Sequence, residues 1–152
     1  MSNPVTYAEE TLGVHKIYDE ALAIQSELDT LMTDLDKVHD KRRDTELRLT
    51  DREMEIFFDE RSTHTEMSAT ALDQHVKLVR HKDEDHQLLR SQLNALRGEV
   101  GGLEIDVDFA KARLRTVQVR MEQLGGYLNF LAAAKNAQTA NAANAAPQGV
   151  QG

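Results

Sequence analysis

The chain contains no cysteine. Disulfide frameworks and thiolate metal sites are therefore excluded, and the redox compartment stays open. Tryptophan is also absent, and aromatic residues make up only 5% of the chain. That poverty of large side chains suits a helical bundle built on leucine and valine better than an enzyme with a deep pocket. No hydrophobic run approaches the ~20 residues of a membrane span. The N-terminus lacks the basic stretch and apolar core of a signal peptide, so the expectation is a soluble, cytoplasmic protein with no membrane partner. Positive charge is the scarcer sign, with a net charge of −8 over 152 residues. An acidic balance speaks against bulk electrostatic binding to nucleic acid, while leaving room for a local basic face.

What the chain does have is period. Read at alternating steps of four and three, the positions Leu89, Leu93, Leu96, Val100, Leu103, Val107, Ala110, Leu114, Val117, Met121, Leu124, Leu128 and Leu131 are all apolar. This is the seam of a long helix packed lengthwise on a partner. The same rhythm runs earlier through Val14, Ile17, Ala21, Ile24, Leu28, Leu31, Leu35 and Val38, then becomes partly polar at Arg42, Thr45 and Arg52. Between the two lie Ser62, Thr63, Thr65 and Ser68, residues that compete with helix by bonding nearby backbone.

The pattern predicts an all-α fold, an antiparallel two-helix coiled-coil hairpin. Its segments are a cap at 1–13, a first helix at about 14–60, a turn at about 61–68, a second helix at about 69–131, and a flexible tail at 132–152. Asn3 before Pro4, and the run Thr6 to Glu9, read as helix-start signals. The tail of Ala, Asn, Gln and Gly cannot bury enough apolar surface to offset its ordering entropy, so disorder is expected beyond Pro147, with a turn or two of helix before it. Folding the chain about residue 65 sets Arg42 and Thr45 near Asp83 and His86. Those four are the candidate polar register layer, of the kind that costs stability but fixes pairing. The same folding sets the acidic Asp19, Glu20 and Glu27 opposite the basic Lys111, Arg113 and Arg115.

A helix that meets one partner should be polar on its far side. Here the far side of the second helix carries Gly98, Gly102, Ile105, Phe109, Ala112, Thr116, Val119, Gln123, Gly126 and Phe130 in the same phase. Gly98, Gly102, Ile105, Phe109, Ala112, Val119, Gly126 and Phe130 are the candidate oligomer interface, which would gather hairpins into a larger helical bundle. The alternative is that Ile105 and Phe109 are ordinary exposed apolar residues. The glycines either admit another backbone or kink the helix near 98–102; each costs about 1 kcal/mol against alanine in a helix.

Chemistry-bearing patterns are few. Two Asp-x-x-His pairs, Asp36/His39 and Asp83/His86, resemble the spacing by which helical bundles hold metal, but the hairpin register does not join them. His75, His81 and His86 show no zinc spacing with cysteines, and the glycines lack the Lys-Ser/Thr of a phosphate loop. No metal, no cofactor and no catalytic residue are expected. Lys77, Arg80 and Lys82 are the candidate nucleic-acid contacts, with a solvated or salt-bridged helix flank as the plainer explanation.

One further set of residues is informative together: Arg61, Met67-Ser68, His75-Val76-Lys77, His81-Lys82-Asp83, Leu89-Arg90, Leu124-Gly125-Gly126-Tyr127-Leu128 and Leu131-Ala132-Ala133. Over about residues 48–135 the chain resembles small coiled-coil proteins of tailed bacteriophages, especially those of actinobacteria. The resemblance implies work in the host cytoplasm close to phage recombination functions, distantly like the mediators that help load a recombinase on single-stranded DNA. On that basis the expected role is a non-enzymatic homo-oligomeric adaptor, with a phage recombination protein as partner and weak contact to single-stranded DNA. The acidic balance departs from direct DNA binding. The rival expectations are a virion scaffold or tail-assembly protein, and a holdase-like chaperone with Phe57, Phe58 and Met67 as its apolar tip.

Overall fold

In a computed structural model, residues 13–145 are described. They form three helices: α1 Val14–Thr63, α2 Ala69–Lys82 and α3 Glu84–Ala145. No strand occurs among the described residues. The start signals at Asn3–Pro4 and Thr6–Glu9, and the disorder expected beyond Pro147, lie outside them.

The described residues divide into two compact units, one of residues 13–28 with 109–145 and one of residues 29–108. In the first unit, Gly13 starts α1. It takes a left-handed φ of +62°, open to glycine without steric cost, and its carbonyl accepts from Ile17 N–H at 3.1 Å. Ile17, Ile24 and Val117 form a buried cluster, with Ala21, Leu114 and Leu124 packed on it. Two ion pairs flank it, Arg113 to Glu27 at 3.0 Å and Arg120 to Glu20 at 3.5 Å. Their order fixes α1 and α3 as antiparallel neighbours in this unit. The expected meeting of the acidic first helix with the basic second one is realised, though with Arg120 rather than Lys111 or Arg115. A mirror about residue 65 would place Glu20 opposite about residue 110.

In the second unit the chain reverses between α1 and α2. Ser68 caps α2, its hydroxyl accepting from Ala71 N–H at 3.3 Å. Ile56, Leu72 and Val76 close the reversal with Phe57 and Val79 against them. The turn falls within the expected stretch, but the second helix is not continuous as predicted. It breaks at Asp83, which is extended at φ −73° and ψ 120°.

The break is built from charge and capping. Asp83 N–H still bonds Val79 C=O at 2.9 Å, closing α2, while Asp83 C=O accepts from Gln87 N–H at 3.0 Å, opening α3. Its Oδ1 accepts from His86 N–H at 2.7 Å, the bond of an N-cap. Arg80, His81 and Lys82 occupy the last turn of α2, and Glu84 and Asp85 the first turn of α3. Each set complements the helix dipole at its own end.

The break also resets the pairing. From Glu60, bound to His75, to Glu53, bound to His86, α1 advances about two turns while the facing chain uses about three. Beyond it Glu46 meets Arg97 at 3.6 Å, where the simple mirror gives about residue 84. Glu46, Glu53 and Glu60 recur at heptad spacing along α1, each paired across the hairpin.

Two further expectations change. α3 runs unbroken through 98–102, so the glycines do not end the helix, and it continues to Ala145, well into the segment expected to be a flexible tail. Alanine, the strongest helix former, dominates that extension and holds it in local helix although its side chains are largely exposed. Along the α3 seam Leu89, Leu93, Val100, Val107, Ala110 and Val117 are buried, whereas Met121 is exposed.

Candidate functional site

The polar layer of the second unit is real but differently composed. Arg52 Nη2 and Nε donate to the two carboxylate oxygens of Asp83 at 2.6 and 3.2 Å, a two-pronged pair. That bonding holds the Asp83 carboxyl below the usual carboxylate range, aided by His86 N–H and opposed by burial. It also raises the Arg52 guanidinium further, with Glu55 contributing. His86, nearly fully buried, sits 2.9 Å from Glu53 through its Nε2. The expected partners Arg42 and Thr45 do not join Asp83 and His86. Thr45 is buried but donates back to Lys41 C=O at 2.9 Å. Arg42 faces Glu46 of its own helix at 3.9 Å, which leaves its buried Nε without a hydrogen bond. Part of the error precedes the break, since Glu60 already meets His75 where a mirror about residue 65 gives about residue 70; the turn consumed at the break then displaces what lies beyond Asp83 further relative to α1.

The candidate nucleic-acid residues are divided. Lys77 pairs with Asp73 one turn away at 2.7 Å, on an exposed surface. Arg80 is half-buried and donates to Glu53 C=O at 3.1 Å, with the Glu53 carboxylate 3.9 Å away. Lys82 is exposed. Arg80 is thus committed to structure, and Lys77 is shared with a carboxylate.

The candidate interface residues stand exposed on α3. In the second unit these are Gly98, Gly102 and Ile105, the last 70% exposed. In the first unit they are Phe109 at 65%, Ala112, Val119 at 43%, Gly126 and Phe130 at 67%. A Cβ built on Gly98, Gly102 or Gly126 would meet nothing within 4 Å. Sequence reasoning missed that α1 also shows other apolar side chains to solvent: Tyr18 and Leu22 in the first unit, Leu47 and Met54 in the second. Their signal lies in spacings of four and seven residues, off the seam that dominates the pattern of α1. Of the three residues of the proposed apolar tip, Phe58 and Met67 are exposed, while Phe57 packs on the Ile56 cluster.

Sequence reasoning also missed a cluster at the reversal. Glu60 in the last turn of α1, His64 just beyond it and His75 of α2 bring one carboxylate oxygen and two imidazole nitrogens within 4.8 Å of one another. Glu60 Oε2 lies 2.7 Å from His75 Nε2 and 3.3 Å from His64 Nε2. The Glu60/His64 spacing of one helical turn was readable; the arrival of His75 depended on the turn geometry.

No described helix is long and apolar enough to cross a membrane. These features define an all-helical chain whose buried surface is helix against helix. The chain matches no protein-family model, no curated protein and no solved structure.

Proposed function

We propose that this chain is a non-enzymatic adaptor that assembles with copies of itself and serves as an accessory factor in phage DNA recombination. One observation carries the assembly: Phe109 and Phe130, in heptad phase with small residues, are about two-thirds exposed on α3. Contiguous exposed apolar surface is uncommon on a monomer and marks an interaction face. Glycine and alanine beside the phenylalanines leave room for a second helix to approach closely. The exposed apolar residues of α1 supply a second face of the same character, as a bundle of several hairpins requires.

The recombination role rests on the resemblance of residues 48–135 to coiled-coil proteins of tailed phages. Within it, a protein partner is favoured over DNA, because Arg80 is bound to Glu53 and the net charge is −8. Light scattering of wild type and Phe109→Arg tests the assembly. Wild type should weigh a multiple of 17.1 kDa. The variant should fall toward one chain with unchanged helix content, since an unpaired buried charge costs on the order of 3–5 kcal/mol. A monomeric wild type, or a variant of unchanged mass, removes the assembly reading.

A further inference from the structure

We propose that Glu60, His64 and His75 bind a divalent transition-metal ion of zinc's class, and that the ion clamps the end of α1 to α2. This inference is independent of the assembly reading. Two imidazoles and one carboxylate are an N/O donor set suited to zinc and its neighbours, and unsuited to calcium or magnesium, which take oxygen.

The geometry is close to what an ion needs. Zinc bonds imidazole nitrogen and carboxylate oxygen at about 2.0–2.2 Å, which puts tetrahedral ligand atoms about 3.3 Å apart. The Glu60 oxygen stands 2.7 and 3.3 Å from the two Nε2 atoms, and all three donors lie within 4.8 Å of one another. Side-chain adjustments of about an ångström would seat an ion among them. The rings cross edge to face with centroids 4.6 Å apart, so both nitrogens converge on one carboxylate oxygen without stacking.

The backbone fixes the donors from two directions. His64 N–H bonds Glu60 C=O at 2.9 Å, continuing the last turn of α1 and setting both side chains on one face. His75 stands on α2, whose start is pinned by the Ser68 cap. All three donors are half-buried, screened from bulk water but reachable. A cavity of about 430 Å³ lined by Phe57, Arg61, His64, Met67 and Leu72 opens beside His64. It has room for a fourth ligand, a water or a donor from a partner, as three-residue zinc sites have. The simpler alternative is two histidines hydrogen-bonded to one glutamate with no ion. That arrangement predicts no stoichiometric metal uptake.

Strip the full chain with chelator, add zinc chloride, and measure affinity by competition with a chromophoric chelator. One zinc per chain is expected. Loss of even an outer partner of a metal ligand weakens binding about ten- to a hundredfold. His64→Ala, His75→Ala and Glu60→Gln should therefore each weaken it at least tenfold. His81→Ala, an exposed histidine on the same helix as His75, should bind as wild type. Zinc should also raise the thermal midpoint of wild type and not that of His75→Ala, because the ion binds only the closed hairpin. X-ray absorption of zinc-loaded wild type should show two imidazole nitrogens, and it decides the matter if the variants misfold. Absence of stoichiometric binding, equal affinity in folded His75→Ala, or fewer than two imidazoles would overturn the site.

Discussion

Replacing Asp83 separates two jobs that one carboxylate performs. It caps α3 through His86 N–H at 2.7 Å, and it pairs with Arg52 at 2.6 Å. Asparagine keeps a cap of equal quality and loses the charge; alanine loses both. At neutral pH the order of stability should be wild type, then Asp83→Asn, then Asp83→Ala. The last two should differ by about 0.5–2 kcal/mol, the value of an N-cap. The first gap is smaller than a fully buried pair would give, because the Arg52 side chain remains 32% exposed and solvent screens it.

The pH dependence gives the ion pair its own signature. Asp83 titrates below its ordinary value of 3.8, chiefly through the Arg52 hydrogen bonds. Its contribution is therefore fully present above that ordinary value and is lost as pH falls through the depressed one. Wild type and Asp83→Asn should converge in stability below about pH 4 while Asp83→Ala stays lower. Urea unfolding followed by circular dichroism across about pH 2–7 measures all three. An alanine variant as stable as asparagine would refute the capping account, since alanine's helix propensity would then be joining α2 to α3. A gap between wild type and asparagine that persists unchanged in acid would refute the ion pair.

Ile24→Ala should cost about 2–5 kcal/mol in urea unfolding, because Ile24 is 1% exposed at the centre of the Ile17–Val117 cluster; a loss below about 1 kcal/mol would mean the cluster is loosely packed. Gly101→Ala, off the apolar stripe and with nothing within 4 Å, should stabilise the chain by about 0.5–1 kcal/mol without changing its assembled mass. Gly102→Ala, on the stripe, should give the same local gain but weaken association; equal effects on mass would deny the glycines an interface role. Single-stranded DNA binding should be weak, with a log–log salt slope on the order of −1, the release expected from one or two phosphates. A slope steeper than about −3 would reveal an extended basic interface and restore the Lys77, Arg80 and Lys82 cluster.

The helical class and the seam were legible because burial imposes a period, and a period is visible residue by residue. The reversal at 64–68 was legible from its hydroxyl residues. The break at Asp83 was not, since no glycine or proline marks it, yet its signal is there in Arg80-His81-Lys82 followed by Asp83-Glu84-Asp85. A mirror about residue 65 is already about five residues off where Glu60 meets His75, and an unbroken helix adds a further turn, so together they point to Arg42 and Thr45 where Arg52 and Glu53 act. The histidines of the reversal escape notice for another reason. Glu60 and His64 are one turn apart, but His75 joins them only through the turn's geometry, which spacing alone does not carry. The α3 tail defies the burial argument because a polar, alanine-rich segment can be helical without burying anything.

The central claim is that the outer face of α3 is covered by another copy of the chain. The absence of native cysteine allows a direct test by maleimide labelling of single-cysteine variants. Ala112→Cys places a thiol on the stripe with minimal change of volume, and Thr70→Cys places one on an exposed position of α2, away from the apolar faces of α1 and α3. At high protein concentration the thiol of the Ala112→Cys variant should react many times more slowly than that of the Thr70→Cys variant. Dilution should bring the two rates together as the assembly dissociates. Equal and concentration-independent rates in both variants would show the face open to water, and would contradict the claim.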